Sequence, residues 1–143
     1  MCVKFCKVLT KNDCGVTGAH QSGLHISKRE HSLLAVLPML DSLSKNPDTE
    51  LQCFDEKLGS FAFRFVHYNN RHHSQKGTRD EFRITRISRY LRLADAVPGD
   101  IFHISRRNSD SNYDIGITKN SRQAVELDIV VKLVGWRQDS KLL

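Results

Sequence analysis

The sequence contains no long hydrophobic run. Its first ten residues, MCVKFCKVLT, place lysines between the apolar side chains and do not form the apolar segment of a signal peptide. No stretch of the 143 residues approaches the roughly 20 apolar residues that a membrane-spanning helix needs. These absences disfavour a secreted or membrane-embedded protein, and the sequence predicts a cytoplasmic one.

Metal-binding patterns are also missing. The four cysteines (Cys2, Cys6, Cys14 and Cys53) include no CxxC pair and no pairs at zinc-finger spacing. The seven histidines include no HExxH motif and no evident set flanked by carboxylates. We therefore expect no metal ion and no cofactor, and we expect cysteines that are reduced and mostly buried.

Catalytic motifs are scarce, since the sequence has no GxSxG, no P-loop and no Rossmann fingerprint. Pro47-Asp48 followed by Asp55-Glu56-Lys57 matches the PD and (D/E)xK halves of a magnesium-dependent nuclease. Such a site holds its carboxylates and lysine at the ends of paired strands around the metal. Here the two halves lie close together in a segment predicted as a polar loop. The sequence favours a binding domain without a catalytic site, with a small nuclease as an alternative.

The composition is ordinary for a globular protein. Hydrophobic residues make up 39% and charged residues 27%, a balance too apolar for a disordered chain. A length of 143 residues falls within the size of one domain and is long enough to bury a core. The sequence therefore predicts a single domain over residues 1–143.

Short strands account for most of the predicted structure. From Ser60 the residues alternate, with Phe61, Phe63 and Phe65 on the side that is expected to face the core. Further strands are predicted at residues 3–9, 24–26, 82–87, 100–105, 114–118 and 125–134, and a helix at residues 30–37. Many short strands with one or two helices are typical of a closed or half-closed barrel. The predicted class is mainly β with short helices (α+β).

Positive charge is concentrated in one window. The chain has 22 Lys and Arg against 16 Asp and Glu, a net charge of +6. Residues 71–92 hold seven of those cations and two of the anions, which leaves +5 in this window and a nearly neutral remainder. Such a segment is either a solvated face or a surface for a polyanion such as nucleic acid. The residue types inside the window decide between the two.

Within the window, residues 79–85 have the pattern of a two-faced strand. In an extended chain Arg79, Glu81 and Arg83 share one face. Phe82 and Ile84 then face the opposite side, toward the core. Arginine pairs bidentately with guanine O6 and N7, and glutamate accepts from cytosine N4, so the polar face suits a G·C-containing site in double-stranded DNA. The alternative is an ion-pair ladder on a solvated surface.

Two segments carry a family resemblance. Residues 11–24, KNDCGVTGAHQSGL, resemble the first DNA-gripping arm of the amino-terminal effector domain of EcoRII-type restriction endonucleases. YNNRH at 68–72, Lys76, TRDE at 78–81 and RITR at 83–86 are similar to the second arm in order and spacing. The resemblance implies the open, seven-stranded pseudobarrel shared with plant B-three DNA-binding domains. Its two arms, here residues 11–24 and 69–86, would clamp the major groove.

By this resemblance twelve residues contact DNA. They are Asn12, Asp13, His20 and Gln21 in the first arm and Arg71, Lys76, Thr78, Arg79, Asp80, Glu81, Phe82 and Arg83 in the second. The sequence departs from the family near Gly77, where the loop is one residue longer, and at Phe82, where the family has a basic base-reading residue. The strand period places the ring of Phe82 in the core, so resemblance and period disagree there.

The implied function is an effector or targeting domain of a bacterial type II restriction endonuclease. Its expected partner is double-stranded DNA that contains CCWGG or a related short site, and a separate nuclease domain would be fused to it in the parent protein. No membrane partner is expected. A free-standing transcriptional regulator of the B-three type is the main alternative, because the same fold would support it.

Overall fold

The structure is a computed structural model that describes residues 3–15, 23–107, 111–120 and 135–139. Its strands are β1 (Lys4–Val8), β2 (Leu24–Ile26), β3 (Asp48–Asp55), β4 (Gly59–Tyr68), β5 (Glu81–Thr85), β6 (Ile101–Arg106), β7 (Asn112–Thr118) and β8 (Trp136–Asp139). Its helices are α1 (His31–Val36), a short 3-10 helix (Asn70–His72) and α2 (Ser88–Leu93). Strands therefore dominate the described part of the chain.

All eight strands lie in one sheet, in the order β2-β5-β4-β3-β7-β6-β1-β8. Neighbouring strands are antiparallel except β3 and β7, which run parallel. At the two edges, Nε1 of Trp136 in β8 donates a hydrogen bond of 2.9 Å to the backbone oxygen of His25 in β2. The sheet is an open barrel whose edges are bridged by a side chain, and the predicted fold class is confirmed. The described ranges contain eight strands, one more than the resemblance implies.

Aromatic rings fill the barrel interior. Phe61, Phe63 and Phe65 point inward along β4, as their alternation predicts. Tyr90 of α2 packs edge-on against Phe61, with ring centroids 4.9 Å apart. α2 therefore closes the barrel at the Phe61 end of β4, and the other end of this strand, at Tyr68, adjoins the second arm.

The segment from Asp48 to Asp55, predicted as a polar loop, is strand β3, so that prediction is wrong. Leu51 and Cys53 face the core, but Phe54 lies on the outward face and Asp55 on the inward face, and these two residues break the alternation of a half-buried strand. Asp48 pairs with Arg64 at 2.6 Å, and Asp55 accepts backbone hydrogen bonds in the turn that follows. At the usual rise per strand residue the two carboxylates lie about 23 Å apart, too far to share one metal ion. Among the residues described, no group of three His, Cys, Asp or Glu could hold a metal.

Two of the other predicted segments agree with the structure, and one ends earlier than predicted. The helix expected at residues 30–37 is α1, and the strand expected at 24–26 is β2. The strand expected at 82–87 ends at Thr85, because Arg86 adopts a left-handed φ of 60° before the chain enters α2. The strand expected at 125–134 lies outside the described residues. Within the described ranges no helix is long and apolar enough to cross a membrane.

Candidate nucleic-acid interface

Arg79, Glu81 and Arg83 form a cluster on one face at the start of β5, which we call the β5 cluster. Nε and Nη2 of Arg79 donate to Oε1 of Glu81 at 2.9 and 2.6 Å. Nη2 of Arg83 donates to Oε2 of Glu81 at 3.3 Å. Burial raises the pKa of the Glu81 carboxyl, but the hydrogen bonds from the two arginines outweigh it and hold that pKa below its ordinary value. The predicted shared face is therefore present, with an ionised carboxylate between two guanidinium groups.

The first arginine of the β5 cluster lies on an aromatic platform. The guanidinium carbon of Arg79 is 3.8 Å from the ring centroid of Tyr68, which lies opposite Glu81 in the β4–β5 pairing. Nη1 of Arg64 donates to the Tyr68 hydroxyl at 3.2 Å. The side chain of Arg79 remains 43% exposed, so it is held in place and still accessible. Sequence reasoning assigned no role to Tyr68 or Arg64, although their even positions on β4 put them on the face of Glu81.

The second arginine of the β5 cluster is nearly covered by the first arm. Only 8% of the Arg83 side chain is exposed, and Nη1 donates to the backbone oxygen of Gly23 at 3.4 Å. Gly23 has a φ of 85°, and a Cβ there would overlap the backbone oxygen of Ile84, so only glycine allows this approach. The end of the first arm thus packs directly on the strand that carries the β5 cluster.

His25 is a further side chain on the same face that sequence reasoning did not single out. It lies directly across from Arg83 in the β2–β5 pairing, and its Nε2 is 3.5 Å from Oε2 of Glu81. Burial lowers the pKa of the imidazole, an effect that the nearby Glu81 opposes only in part. A half-exposed, mostly neutral ring therefore stands where the two arms meet.

The structure describes two of the four residues assigned to the first arm, Asn12 and Asp13. Asp13 points inward, where it pairs with the Lys7 ammonium and accepts the Thr10 amide at 3.0 Å. Asn12 is partly exposed in the adjoining turn. His20 and Gln21 lie outside the described residues. The DNA-contacting roles of these four residues stay predictions.

The second arm folds back on itself before it reaches β5. The backbone amide of Arg71 donates to the carbonyl of Arg79 at 3.0 Å, and a Cβ at Gly77 would overlap the Asn70 carbonyl. The loop is thus closed at Gly77 by a close backbone contact. The remaining polar assignments of this loop, Arg71, Lys76 and Thr78, are exposed, and neither Arg71 nor Lys76 makes an ion pair with a residue in the described ranges.

Asp80 and Phe82 leave the strand on the side opposite to the β5 cluster. The Phe82 ring stacks on His67 with centroids 4.2 Å apart and on Phe65 at 5.7 Å. It is partly buried and packs against the core, as the strand period predicts. The DNA-contacting role that the resemblance gives to Phe82 stays a prediction.

The fold defines a class, the B-three-like pseudobarrel. The structure resembles the solved Arabidopsis FUS3–DNA complex with a TM-score of 0.60 and 15% sequence identity, over 81% of this chain and 96% of that chain. A family model described as "Restriction endonuclease EcoRII, N-terminal" matches residues 1–130, and the chain belongs to this family. The resemblance read from the two arms is thereby confirmed. No curated protein matches the sequence.

Proposed function

We propose that the chain is a sequence-specific, double-stranded DNA-binding domain of a type II restriction endonuclease. It clamps the major groove of a short G·C-containing site, CCWGG or a relative, and acts as an effector or targeting domain beside a separate nuclease domain in the bacterial cytoplasm. The observation that carries the proposal is the β5 cluster, in which two arginines and one carboxylate share a strand face between two arms. The chain itself performs no catalytic step in this proposal.

Guanine readout follows from the exchange of one hydrogen-bond partner for another. In the free protein Glu81 neutralises Arg79, and at a G·C pair the guanidinium fork turns to guanine O6 and N7. Glu81 is then released to accept from cytosine N4. At an A·T pair the adenine N6 donor faces the arginine, and the partly buried Glu81 carboxylate keeps its hydrogen bonds to the two arginines instead. Each such contact contributes about 1–3 kcal/mol to discrimination.

Pre-positioning of Arg79 supports this exchange. The Tyr68 ring stacks under the guanidinium, and Arg64 fixes the Tyr68 hydroxyl from the other side. A side chain that is already ordered loses less conformational entropy on binding. Exposed cations of the second arm, Arg71 and Lys76, are suited to contact phosphates, which orient the duplex without reading its sequence.

Selection of bound duplexes from a random pool tests the proposal. We expect enrichment of one short G·C-containing site, with affinity at least about 1,000-fold above that for random DNA. The logarithm of the affinity for both duplexes should fall steeply and linearly with the logarithm of the salt concentration, since each neutralised phosphate releases counterions. A pool that shows no enrichment would overturn the proposal.

Lys76→Ala tests the assignment of backbone contacts. We expect weaker binding to the selected and the random duplex alike, with a salt slope reduced by about 1. Lys57→Ala is the matched control, because Lys57 is an exposed lysine in the β3–β4 turn, at the other end of β4 from the second arm. A Lys76→Ala loss that is confined to the selected site would instead make Lys76 a base reader.

A further inference from the structure

The carboxylate of Asp80, in the second arm, is nearly buried and accepts hydrogen bonds from three side chains. Asp80 lies between Arg79 and Glu81 in sequence, but its side chain leaves the strand on the opposite side and is only 9% exposed. Oδ1 accepts a hydrogen bond from Nε2 of His67 at 2.8 Å. Oδ2 accepts from Nζ of Lys28 at 2.6 Å and from Nε2 of His72 at 2.9 Å.

The three donors come from separate parts of the fold. Lys28 stands in the turn after β2, where the chain leaves the first arm. His67 belongs to the end of β4, and its ring also stacks on Phe82. His72 ends the 3-10 helix of the second arm. One carboxylate therefore joins the exit of the first arm, the barrel wall and the loop of the second arm.

The environment of this carboxylate makes it unsuited to a contact with DNA. Hydrogen bonds from Lys28, His72 and His67 hold the pKa of the Asp80 carboxyl well below its usual range, so it stays ionised at neutral pH. An ionised carboxylate can only accept hydrogen bonds, and three donors already occupy it. Turning it toward the duplex would leave Lys28 without this partner and bring a negative charge toward phosphates.

We propose that Asp80 is a positioning residue that ties the two arms together and sets discrimination between cognate and random DNA without touching either. The inference rests on the proposed function of the chain. Arg79 and Glu81 are the immediate neighbours of Asp80, so the direction of both side chains depends on the backbone that Asp80 anchors. The Arg79 amide, which donates to Oδ1 of Asn70 at 2.8 Å, holds the same backbone from the loop side.

Asp80→Asn tests the tie because it keeps the shape and removes the charge. We expect affinity for the selected duplex to fall at least about tenfold, the size expected for a misplaced specific contact. Affinity for random DNA should stay equal or rise slightly, with an unchanged salt slope, since no phosphate contact is lost. Glu56→Gln, at an exposed carboxylate in the β3–β4 turn, is the control and should change neither affinity.

Base preference separates positioning from direct contact. A tie predicts that Asp80→Asn weakens discrimination at every base pair read by the second arm and creates no new preference. A change confined to one base pair, with a new preferred base there, would show that Asp80 contacts that base and would overturn the inference.

Lys28→Met provides a second test that does not depend on the folding of Asp80→Asn. If Lys28 acts through Asp80, its loss lowers cognate affinity severalfold at an unchanged salt slope, and the double variant with Asp80→Asn is no weaker than Asp80→Asn alone. A slope reduced by about 1 would make Lys28 a phosphate contact and contradict the tie. His72→Gln, at an exposed ring, should behave like Lys28→Met.

The two proposals fail in different ways. A wild-type chain that prefers no duplex refutes the proposed function. A selective wild-type chain with equally selective Asp80→Asn and Lys28→Met variants refutes the tie alone.

Discussion

Replacing Arg83 by alanine is expected to lower affinity for the selected duplex by about 1–3 kcal/mol, the usual contribution of one bidentate guanine contact. Affinity for random DNA should change much less, because only one of several attracting charges is lost. Since the guanidinium is also buried between Glu81 and the Gly23 carbonyl, the free energy of unfolding should fall by about 1–3 kcal/mol. Binding titrations on both duplexes and thermal denaturation measure the two effects.

Two further variants separate charge from geometry at this position. Arg83→Lys keeps the charge but not the planar fork, so it should bind random DNA as wild type does and leave discrimination impaired. Arg86→Ala is the matched control, because Arg86 is exposed just beyond β5 and makes no ion pair with a residue of the described ranges. An Arg83→Ala chain that discriminates as well as wild type would mean that Arg83 only holds Glu81 and the first arm in place.

The contrast between Arg79 and Arg83 shows what a strand period can predict. Alternation alone places both side chains on one face with Glu81, and the structure has them there. Alternation does not predict that one is exposed and the other nearly covered, because the cover comes from Gly23, just before β2 and 60 residues earlier in the sequence. The sequence predicted which residues form the β5 cluster, but it could not predict their exposure, because exposure depends on tertiary packing.

The same limit applies to the fold. β4 could be predicted because Phe61, Phe63 and Phe65 alternate with smaller or polar residues over a long strand. β3 was missed because its alternation is broken by Phe54 on the outward face and by Asp55 on the inward face. The burial of Asp55 is explained by the hydroxyl of Tyr90 at 2.6 Å. α2, a helix of six residues, was not predicted.

Non-local contacts also explain why the sequence did not predict the stacking of Arg79 on Tyr68 or the hydrogen bond between Lys28 and Asp80. Tyr68 becomes a support for Arg79 only through the antiparallel pairing of β4 with β5. Asp80 meets Lys28 across 52 positions of the sequence. The family resemblance assigns roles by position in the sequence, so it gave Asp80 the same DNA-contacting role as Arg79 and Glu81. The hydrogen bonds of the Asp80 side chain lie on the opposite side of the strand.

Phe82→Ala should have the largest effect on stability of any change in the second arm. The ring stacks on His67 and Phe65 and packs on the core, so its removal leaves a cavity beside two aromatic neighbours. Truncation of a core phenylalanine costs about 3–5 kcal/mol, and the low end of that range is expected because Phe82 is only partly buried. Denaturant unfolding measures the loss. Discrimination between bases should be retained at temperatures where the variant is folded.

Two further variants, Phe54→Ala and Phe82→Leu, show whether the loss of stability comes from removing a core ring. Phe54→Ala is the matched control, since the ring of Phe54 lies on β3, is exposed and should cost far less stability. Phe82→Leu should recover much of the stability, because it refills most of the volume without an aromatic stack. The family resemblance places a base-reading side chain at this position, and the strand period places a core residue there. A stable Phe82→Ala chain with an altered base preference would mean that the ring reaches the duplex, most simply against a thymine methyl group, and that the period assigned Phe82 to the wrong face.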